Sequence, residues 1–241
     1  MIHVVIVGGD QPRTKTLYSD LIDSGLFHVE IQPRMSEADL VETSERPSAL
    51  SMTYGRTLSI SERCCALAHR LAQEKIRSTG GIILEDDAVV MDYQALADIA
   101  VKVVSNSQSV LFNYSTKRCV EDIDWTTDTN RIVRTIGPTA LAVGYAASRS
   151  ELNQLIEANK NLDYVADWPP TRARHLRLRY PIVAHGSINN KSLIECSSNR
   201  QPIPFRKLLV DGQGTAAFRR LKNKAAFELT KAILQFRKAE E

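Results

Sequence analysis

The chain has 241 residues, with 31 Lys and Arg against 28 Asp and Glu, and a formal net charge of +3. This length fits one large domain, or one domain with an appendage, and an apolar fraction of 43% excludes wholesale disorder. The sequence has no apolar run of membrane-span length, and its N-terminus lacks signal-peptide features, so we expect a cytoplasmic protein. The small net charge argues against a dedicated DNA-binding protein, and we expect no nucleic-acid partner.

The cysteines point to reduced thiols rather than to a disulfide framework. Cys64, Cys65, Cys119 and Cys196 include no Cys-x-x-Cys pair, and no His-x-x-x-His is present. Zinc sites commonly use such paired spacings, so the sequence predicts structural cysteines and no zinc site. A catalytic Cys–His pair is the less favoured alternative.

The first elements read as the opening of a nucleotide-binding α/β sheet. Residues 2–7 form an apolar, β-branched run typical of a buried parallel strand, and Gly8-Gly9-Asp10 follows as a turn. A helix is predicted over 16–24 and a second strand over 27–32. Residues 42–58 have few apolar anchors and are predicted to form a long loop.

The middle of the chain continues the alternation of helices and strands. A helix capped by Ser59 or Ser61 and ended by Gly80-Gly81 leads into a short buried strand, Ile82-Ile83-Leu84. Further elements are predicted as a helix over 93–105, strands over 109–114, 131–136 and 139–146, and a helix over 148–159.

Four arginines follow Trp168-Pro169-Pro170, at positions 172, 174, 177 and 179. Their spacing suggests one face of a strand or extended loop. They could bind a diphosphate or an anionic acceptor, but a solvated, charged edge strand is the favoured interpretation.

The chain divides by charge into residues 1–204 and residues 205–241. The second part carries nine basic and four acidic residues, a net charge of +5, so the first part is slightly acidic at about −2. From Thr215 onward it is predicted to be a basic amphipathic helix. This helix could lie on an anionic membrane surface, or its apolar stripe could pack on the domain or on a second copy of the chain in a homo-oligomer.

An acidic cluster follows the buried strand over 82–84 directly. Ligands of open α/β sheets bind outside the carboxyl ends of the strands, which is where Glu85, Asp86 and Asp87 stand. Carboxylates are hard oxygen ligands suited to Mg²⁺ or Mn²⁺. The alternative is a solvated acidic turn.

These residues also carry a resemblance to a known family. The stretch from Leu58 to His69, followed by Ile83-Leu84-Glu85-Asp86-Asp87-Ala88, resembles the "LSxxExGCxxSH" helix and "LEDDV" strand end of glycosyltransferase family 25. That family includes bacterial lipooligosaccharide and procollagen galactosyltransferases. Residues 10–13, 137–149, 165–167 and 179–183 resemble its other motifs, in order, so that the resemblance covers about residues 1–195.

The resemblance implies a GT-A glycosyltransferase: a Rossmann-like mixed sheet flanked by helices, followed here by the basic C-terminal helix. It implies that Asp87, with Glu85, binds Mn²⁺ or Mg²⁺, and that Glu85 or Asp86 contacts the ribose or the waters of the metal. Inversion at the sugar needs one general base, for which Asp167 is the candidate. The alternative is that Asp167 only caps the turn formed by Trp168-Pro169-Pro170.

Three more residues become candidates for binding the donor. Asp10 and Arg13 follow the first strand, where a base or ribose binds in such folds, although Arg13 could equally be a solvated residue at a helix start. His69 could contact the donor phosphates, or be a core histidine bonded to a carbonyl.

The predicted function is transfer of a hexose, with galactose as the candidate, from a nucleoside-diphosphate sugar to a hydroxyl of a glycan or lipid-linked saccharide. The setting would be lipopolysaccharide or other cell-surface glycan synthesis, at the inner face of the membrane. Two alternatives stay open: a nucleotidyltransferase with a similar metal site, and a degenerate protein that binds sugar nucleotides without turnover.

Overall fold

The computed structural model describes residues 1–43, 50–51, 56–112, 119–126, 131–136, 143–162, 174–178 and 180–186. The helices in these ranges are α1 (Pro12–Asp23), α2 (Glu37–Thr43), α3 (Ile60–Lys75), α4 (Tyr93–Ser105) and α5 (Arg149–Ala158). The strands are β1 (Ile2–Val7), β2 (Phe27–Gln32), β3 (Leu50–Ser51), β4 (Arg56–Thr57), β5 (Gly81–Glu85), β6 (Ala88–Val90), β7 (Ser109–Leu111), β8 (Cys119–Thr126), β9 (Arg131–Ile136), β10 (Gly144–Ala147), β11 (Arg174–Leu178) and β12 (Val183–His185).

An eight-stranded mixed sheet organises the described chain, in the order β2-β1-β5-β10-β7-β11-β9-β8. Strands β2, β1 and β5 are parallel, β10 runs antiparallel to both of its neighbours, and β11 is parallel to β7. The carboxyl ends of strands β1, β2, β5 and β7 therefore lie at the same end of the sheet.

Helices cover both faces of this sheet because side chains alternate along each central strand. Ile82 and Leu84 of β5 pack in a core with residues of α1 and α4, such as Leu17 and Leu96. Ile83, between them, packs in a second core with residues of α3 and α5. The result is a three-layer α/β/α arrangement in which β5 is buried on both faces, as its continuous apolar sequence predicts.

A small second sheet lies beside the carboxyl end of β5. Strand β6, just after the acidic turn, pairs antiparallel with β12, so that His185 stands opposite Ala88. The amide of Gly186 also donates to the carbonyl oxygen of Asp87, at 2.7 Å. This pairing joins segments about a hundred residues apart and brings β12 to the acidic turn.

Most of the predicted central elements are confirmed. Strands β1 and β2 and helix α4 have the predicted bounds, and Ser59 and Ser148 are the N-caps of α3 and α5. Helix α1 begins at Pro12 rather than at residue 16, since proline is favoured in the first turn. Helix α3 ends at Lys75, ahead of the predicted glycine stop, and β10 begins only at Gly144.

Two predictions from the sequence were wrong. The segment over 42–58 is not simply a loop, because α2 ends within it and β3 pairs with β4 there. Strand β11 is not a charged edge strand: it lies between β7 and β9, and Arg177 is fully buried.

The α/β class and the mixed sheet flanked by helices are thus confirmed, and the arrangement is compatible with a Rossmann-like fold. The basic C-terminal part over 205–241, with the helix predicted from Thr215 onward, and Asp167 lie outside the described residues. None of the helices in the described ranges has the length and apolarity needed to cross a bilayer.

Candidate functional site

The candidate site is the turn that links β5 to β6 at the carboxyl edge of the parallel strands. The chain leaves β5 at Glu85, turns through Asp86 and Asp87, and enters β6 at Ala88. The amide of Asp86 donates to the carbonyl oxygen of Val7, at the end of β1, at 3.0 Å. This bond fixes the acidic turn against the neighbouring parallel strand.

Asp86 is buried and pairs with two arginines. Arg13 of α1 donates to its Oδ1, and Arg34, beyond β2, donates to its Oδ2, both at 2.8 Å. The two guanidinium groups compensate the buried carboxylate and leave a net positive charge, while each arginine side chain stays about 40% exposed. The side of the turn nearest α1 is therefore cationic, despite its acidic sequence.

Gly8 makes this close approach of strands β1 and β5 possible. A Cβ added at Gly8 would lie 2.5 Å from the Cβ of Asp86, which is closer than real Cβ contacts allow. A Cβ at Gly9 would meet the Arg34 side chain at 3.6 Å, an ordinary van der Waals contact. The requirement for glycine is thus at position 8.

Asp87 pairs with His185 of β12. Its Oδ2 lies 3.1 Å from His185 Nε2. Its Oδ1 is buried and has no hydrogen-bond partner among the described residues. A carboxylate oxygen that is removed from water without a partner is costly, so this atom is a candidate ligand for a cation.

Whereas Asp86 pairs with Arg13 of α1, Glu85 points toward α3. Its Oε1 lies 3.2 Å from Nε2 of the buried His69. The other ring nitrogen of His69 lies 3.4 Å from the hydroxyl of Tyr145, which accepts a bond from Gln73 at 2.9 Å. Burial raises the pKa of Tyr145 well above that of a free phenol, so its hydroxyl keeps its proton even in mildly alkaline solution.

The structure brings together five of the seven predicted site residues, namely Arg13, His69, Glu85, Asp86 and Asp87. Asp10 is not part of this cluster: its side chain is 86% exposed and pairs with Lys15 at 2.7 Å. Among the described residues, the ring nitrogens of His69 contact a carboxylate and a hydroxyl and not a backbone carbonyl. The seventh, Asp167, lies outside the described residues.

Sequence reasoning missed Arg34, His185 and Tyr145. Arg34 lies two residues after the end of β2, so its position after a parallel strand was an available signal. His185 reaches Asp87 only through the pairing of β6 with β12, and no local pattern announces that pairing. Tyr145 stands in a short strand of small residues and looks like a core residue.

Comparison with known proteins adds no assignment: no protein-family model matches the chain, and no curated protein matches it.

Proposed function

We propose that the chain is a GT-A type glycosyltransferase that uses Mn²⁺ or Mg²⁺ to move a hexose from a nucleoside-diphosphate sugar to a glycan hydroxyl. One observation carries the proposal. The turn after the central parallel strand holds a carboxylate oxygen without a partner among the described residues, on Asp87, beside the arginines that bind Asp86. A diphosphate is strongly negative, so a bound cation and the neighbouring arginines would both stabilise its charge.

Asp87 and His185 have the chemistry to hold the cation. Their facing O and N atoms are 3.1 Å apart, close to the edge of about 3.0 Å expected of an octahedron with ligands at about 2.1 Å. An imidazole ligand favours Mn²⁺ over Mg²⁺, which prefers oxygen. The sequence predicts Glu85 as a second ligand, but its carboxylate contacts His69, so we assign His185 to that role.

Arg13 and Arg34 are suited to bind the anionic part of the donor. Asp86 accepts one N–H group from each, and a guanidinium has five N–H donors, so each arginine keeps donors for a phosphate. Both side chains are about 40% exposed and accessible to a ligand. Asp86 thus acts as a positioning residue that holds the two arginines.

The reaction needs little more from the protein than orientation and proton transfer. The acceptor oxygen bonds to the anomeric carbon as the bond from that carbon to the diphosphate oxygen breaks, with inversion, and a general base takes the hydroxyl proton. Asp167 remains the predicted base. A divalent cation at Asp87 and His185 would supply stabilisation of the negative charge on the departing diphosphate.

The membrane setting rests on the charge of the C-terminal part. Residues 205–241 carry a net charge of +5, which would draw the enzyme to an anionic surface where a lipid-linked saccharide acceptor resides. The enzyme would then be cytoplasmic and peripheral at the inner face of the membrane.

Turnover tests the proposal directly. The full chain is incubated with nucleoside-diphosphate hexoses, Mn²⁺ and saccharide acceptors, and the released nucleoside diphosphate is measured. We expect acceptor-stimulated release that Asp87→Asn reduces by roughly 10²–10³-fold. Asp98→Asn, at an exposed carboxylate on α4, is the matched control and should leave the rate unchanged.

Two results would contradict the proposal. One is the absence of nucleoside-diphosphate release from every donor. The other is pyrophosphate release from a nucleoside triphosphate, which would indicate a nucleotidyltransferase instead.

A further inference from the structure

A second group of metal-ligating side chains lies on the α3 side of β5, away from the Asp87–His185 pair. Cys65 and His69 of α3 and Glu85 of β5 each offer one ligand atom, and the three atoms lie within 4.8 Å of one another. We propose that these residues form a binding site for a thiophilic divalent cation, Zn²⁺. The site stands independently of the proposed transferase activity.

The backbone places the three donors for a shared ligand. Cys65 and His69 are four residues apart on α3, so they lie one above the other on the same face of the helix. That face packs on the sheet, where Glu85 ends β5 on the same side as Ile83. The Nε2 of His69 and the Oε1 of Glu85 are 3.2 Å apart. Two ligands of a tetrahedral zinc at about 2.1 Å are separated by about 3.4 Å.

The donor set selects the metal. One sulfur, one nitrogen and one oxygen match the ligands of zinc, whereas Mg²⁺ and Mn²⁺ are harder cations that do not favour a thiolate ligand. The two cation sites of the turn therefore differ in kind: Asp87 with His185 suits Mn²⁺, and the group containing Cys65 suits Zn²⁺. Three protein ligands are also the number found in zinc sites that keep a fourth position for water or substrate.

Hydrogen bonds beyond the ligands support the same assignment. A metal-bound histidine commonly makes a hydrogen bond through the ring nitrogen that does not bind the metal, and this bond orients the ring. In His69 that nitrogen is Nδ1, 3.4 Å from the Tyr145 hydroxyl, which Gln73 holds in turn at 2.9 Å. A hydroxyl both donates and accepts, so Tyr145 suits the tautomer in which Nε2 has no proton and can bind a metal.

Access to this group is open on one side. His69 is buried, but the Glu85 side chain is 25% exposed and Cys65 is only partly buried. A cation can therefore reach the three donors from solvent at the carboxyl end of β5. The neighbouring Cys64 differs: it is buried against Leu40 and Leu67, and burial raises the pKa of its thiol, which makes it a poor ligand.

Cobalt substitution tests the site, because a thiolate bound to Co²⁺ gives a charge-transfer absorption that oxygen and nitrogen ligands do not give. The full-length chain, with Cys119 and Cys196 replaced by serine, is titrated with Co²⁺ and then with Zn²⁺. We expect the thiolate band to saturate at one equivalent and to disappear as Zn²⁺ displaces Co²⁺. Glu85→Gln should weaken Co²⁺ binding by more than about 10-fold, and Tyr145→Phe by about 10-fold.

Adjacent cysteines provide the matched control. Cys65→Ser should abolish the thiolate band, while Cys64→Ser should retain it, with circular dichroism confirming that both variants fold. Absence of a band in the parent protein, or its persistence in Cys65→Ser, would overturn the proposal. Asp87→Asn should keep the band, so a failure of the transferase assignment is distinguishable from a failure of this site.

Discussion

At the scale of single residues, two ion pairs stabilise the buried carboxylate of Asp86 in the acidic turn. Asp86 is buried between Arg13 and Arg34, whereas Asp10 pairs with Lys15 in solvent. Replacing Asp86 by Asn removes both charge pairs but leaves the arginines partly hydrated, so we expect a loss of about 1–3 kcal/mol in the free energy of unfolding. Asp10→Asn should change it by less than about 0.5 kcal/mol, as exposed pairs do.

Urea denaturation of the two variants measures this difference. Equal unfolding free energies for Asp86→Asn and Asp10→Asn would show that the arginines do not stabilise the turn.

Two adjacent glycines make a second test at residue scale. Gly8→Ala places a methyl group against Asp86, where something must shift, and we expect a loss of about 2 kcal/mol in the free energy of unfolding. Gly9→Ala meets Arg34 at an ordinary distance and should be nearly neutral. Thermal unfolding of both variants provides the comparison, and a harmless Gly8→Ala would refute the close approach of β1 to the acidic turn.

Tyr145 predicts a pH dependence. Burial raises the pKa of its hydroxyl in the folded protein, whereas in the unfolded chain it ionises near pH 10. Above about pH 10 the unfolded state therefore binds fewer protons, and stability falls as pH rises. Relative to Tyr145→Phe, the wild-type unfolding free energy should fall by up to about 1.4 kcal/mol per pH unit there. Parallel pH profiles for the two proteins would argue against a buried hydroxyl.

At the scale of elements, α3 is set by its first turn. The Ser59 side chain accepts from the amide of Glu62, and the Glu62 carboxylate accepts from the amide of Ser59, which is a complete capping box. Ser59→Ala should lower the free energy of unfolding by about 1 kcal/mol. Ser105→Ala, at the exposed end of α4, is the control and should have a smaller effect.

Denaturant midpoints measure both variants. An equal effect of the two substitutions would show that the cap contributes nothing specific to α3, which carries Cys65 and His69.

Local patterns made several elements predictable. Apolar runs predict β1 and β5, and a serine cap at Ser59 or Ser61 predicts the start of α3, because these structures follow from residues adjacent in sequence. Strands β6 and β12 could not be predicted in this way, since each has three residues and forms only by pairing with the other. The burial of Arg177 was missed for the same reason: the place of β11 inside the sheet depends on pairing with β7 and β9.

At the scale of the whole molecule, the fold gives the three carboxylates of one local acidic motif different partners. The sequence identifies Glu85, Asp86 and Asp87 as a candidate metal site, but their partners come from α1, α3, β12 and the segment after β2. Asp86 becomes a holder of arginines, Asp87 pairs with His185, and Glu85 faces His69. The family resemblance assigns Asp87 and Glu85 to the metal and Glu85 or Asp86 to the ribose or the metal's waters, but their actual partners depend on the tertiary structure.

The net charge of the whole chain also hides local differences in charge. The described site lies within residues 1–204, which carry about −2, while the arginines beside Asp86 make one side of the turn cationic. Charge balance over the whole chain therefore says little about the ligand, and the local arrangement of charges says much more.

The metal dependence of donor binding shows whether Asp87 holds the cation that binds the diphosphate. Thermal unfolding of the full chain is followed with nucleoside-diphosphate hexoses, with and without Mn²⁺, for the wild type and for Asp87→Ala. A donor at about 100 times its Kd should raise the Tm of the wild type by about 5–10 °C when Mn²⁺ is present, and Asp87→Ala should show no metal-dependent rise. A wild type that no donor stabilises, or an Asp87→Ala variant that keeps the full metal-dependent rise, would contradict the account.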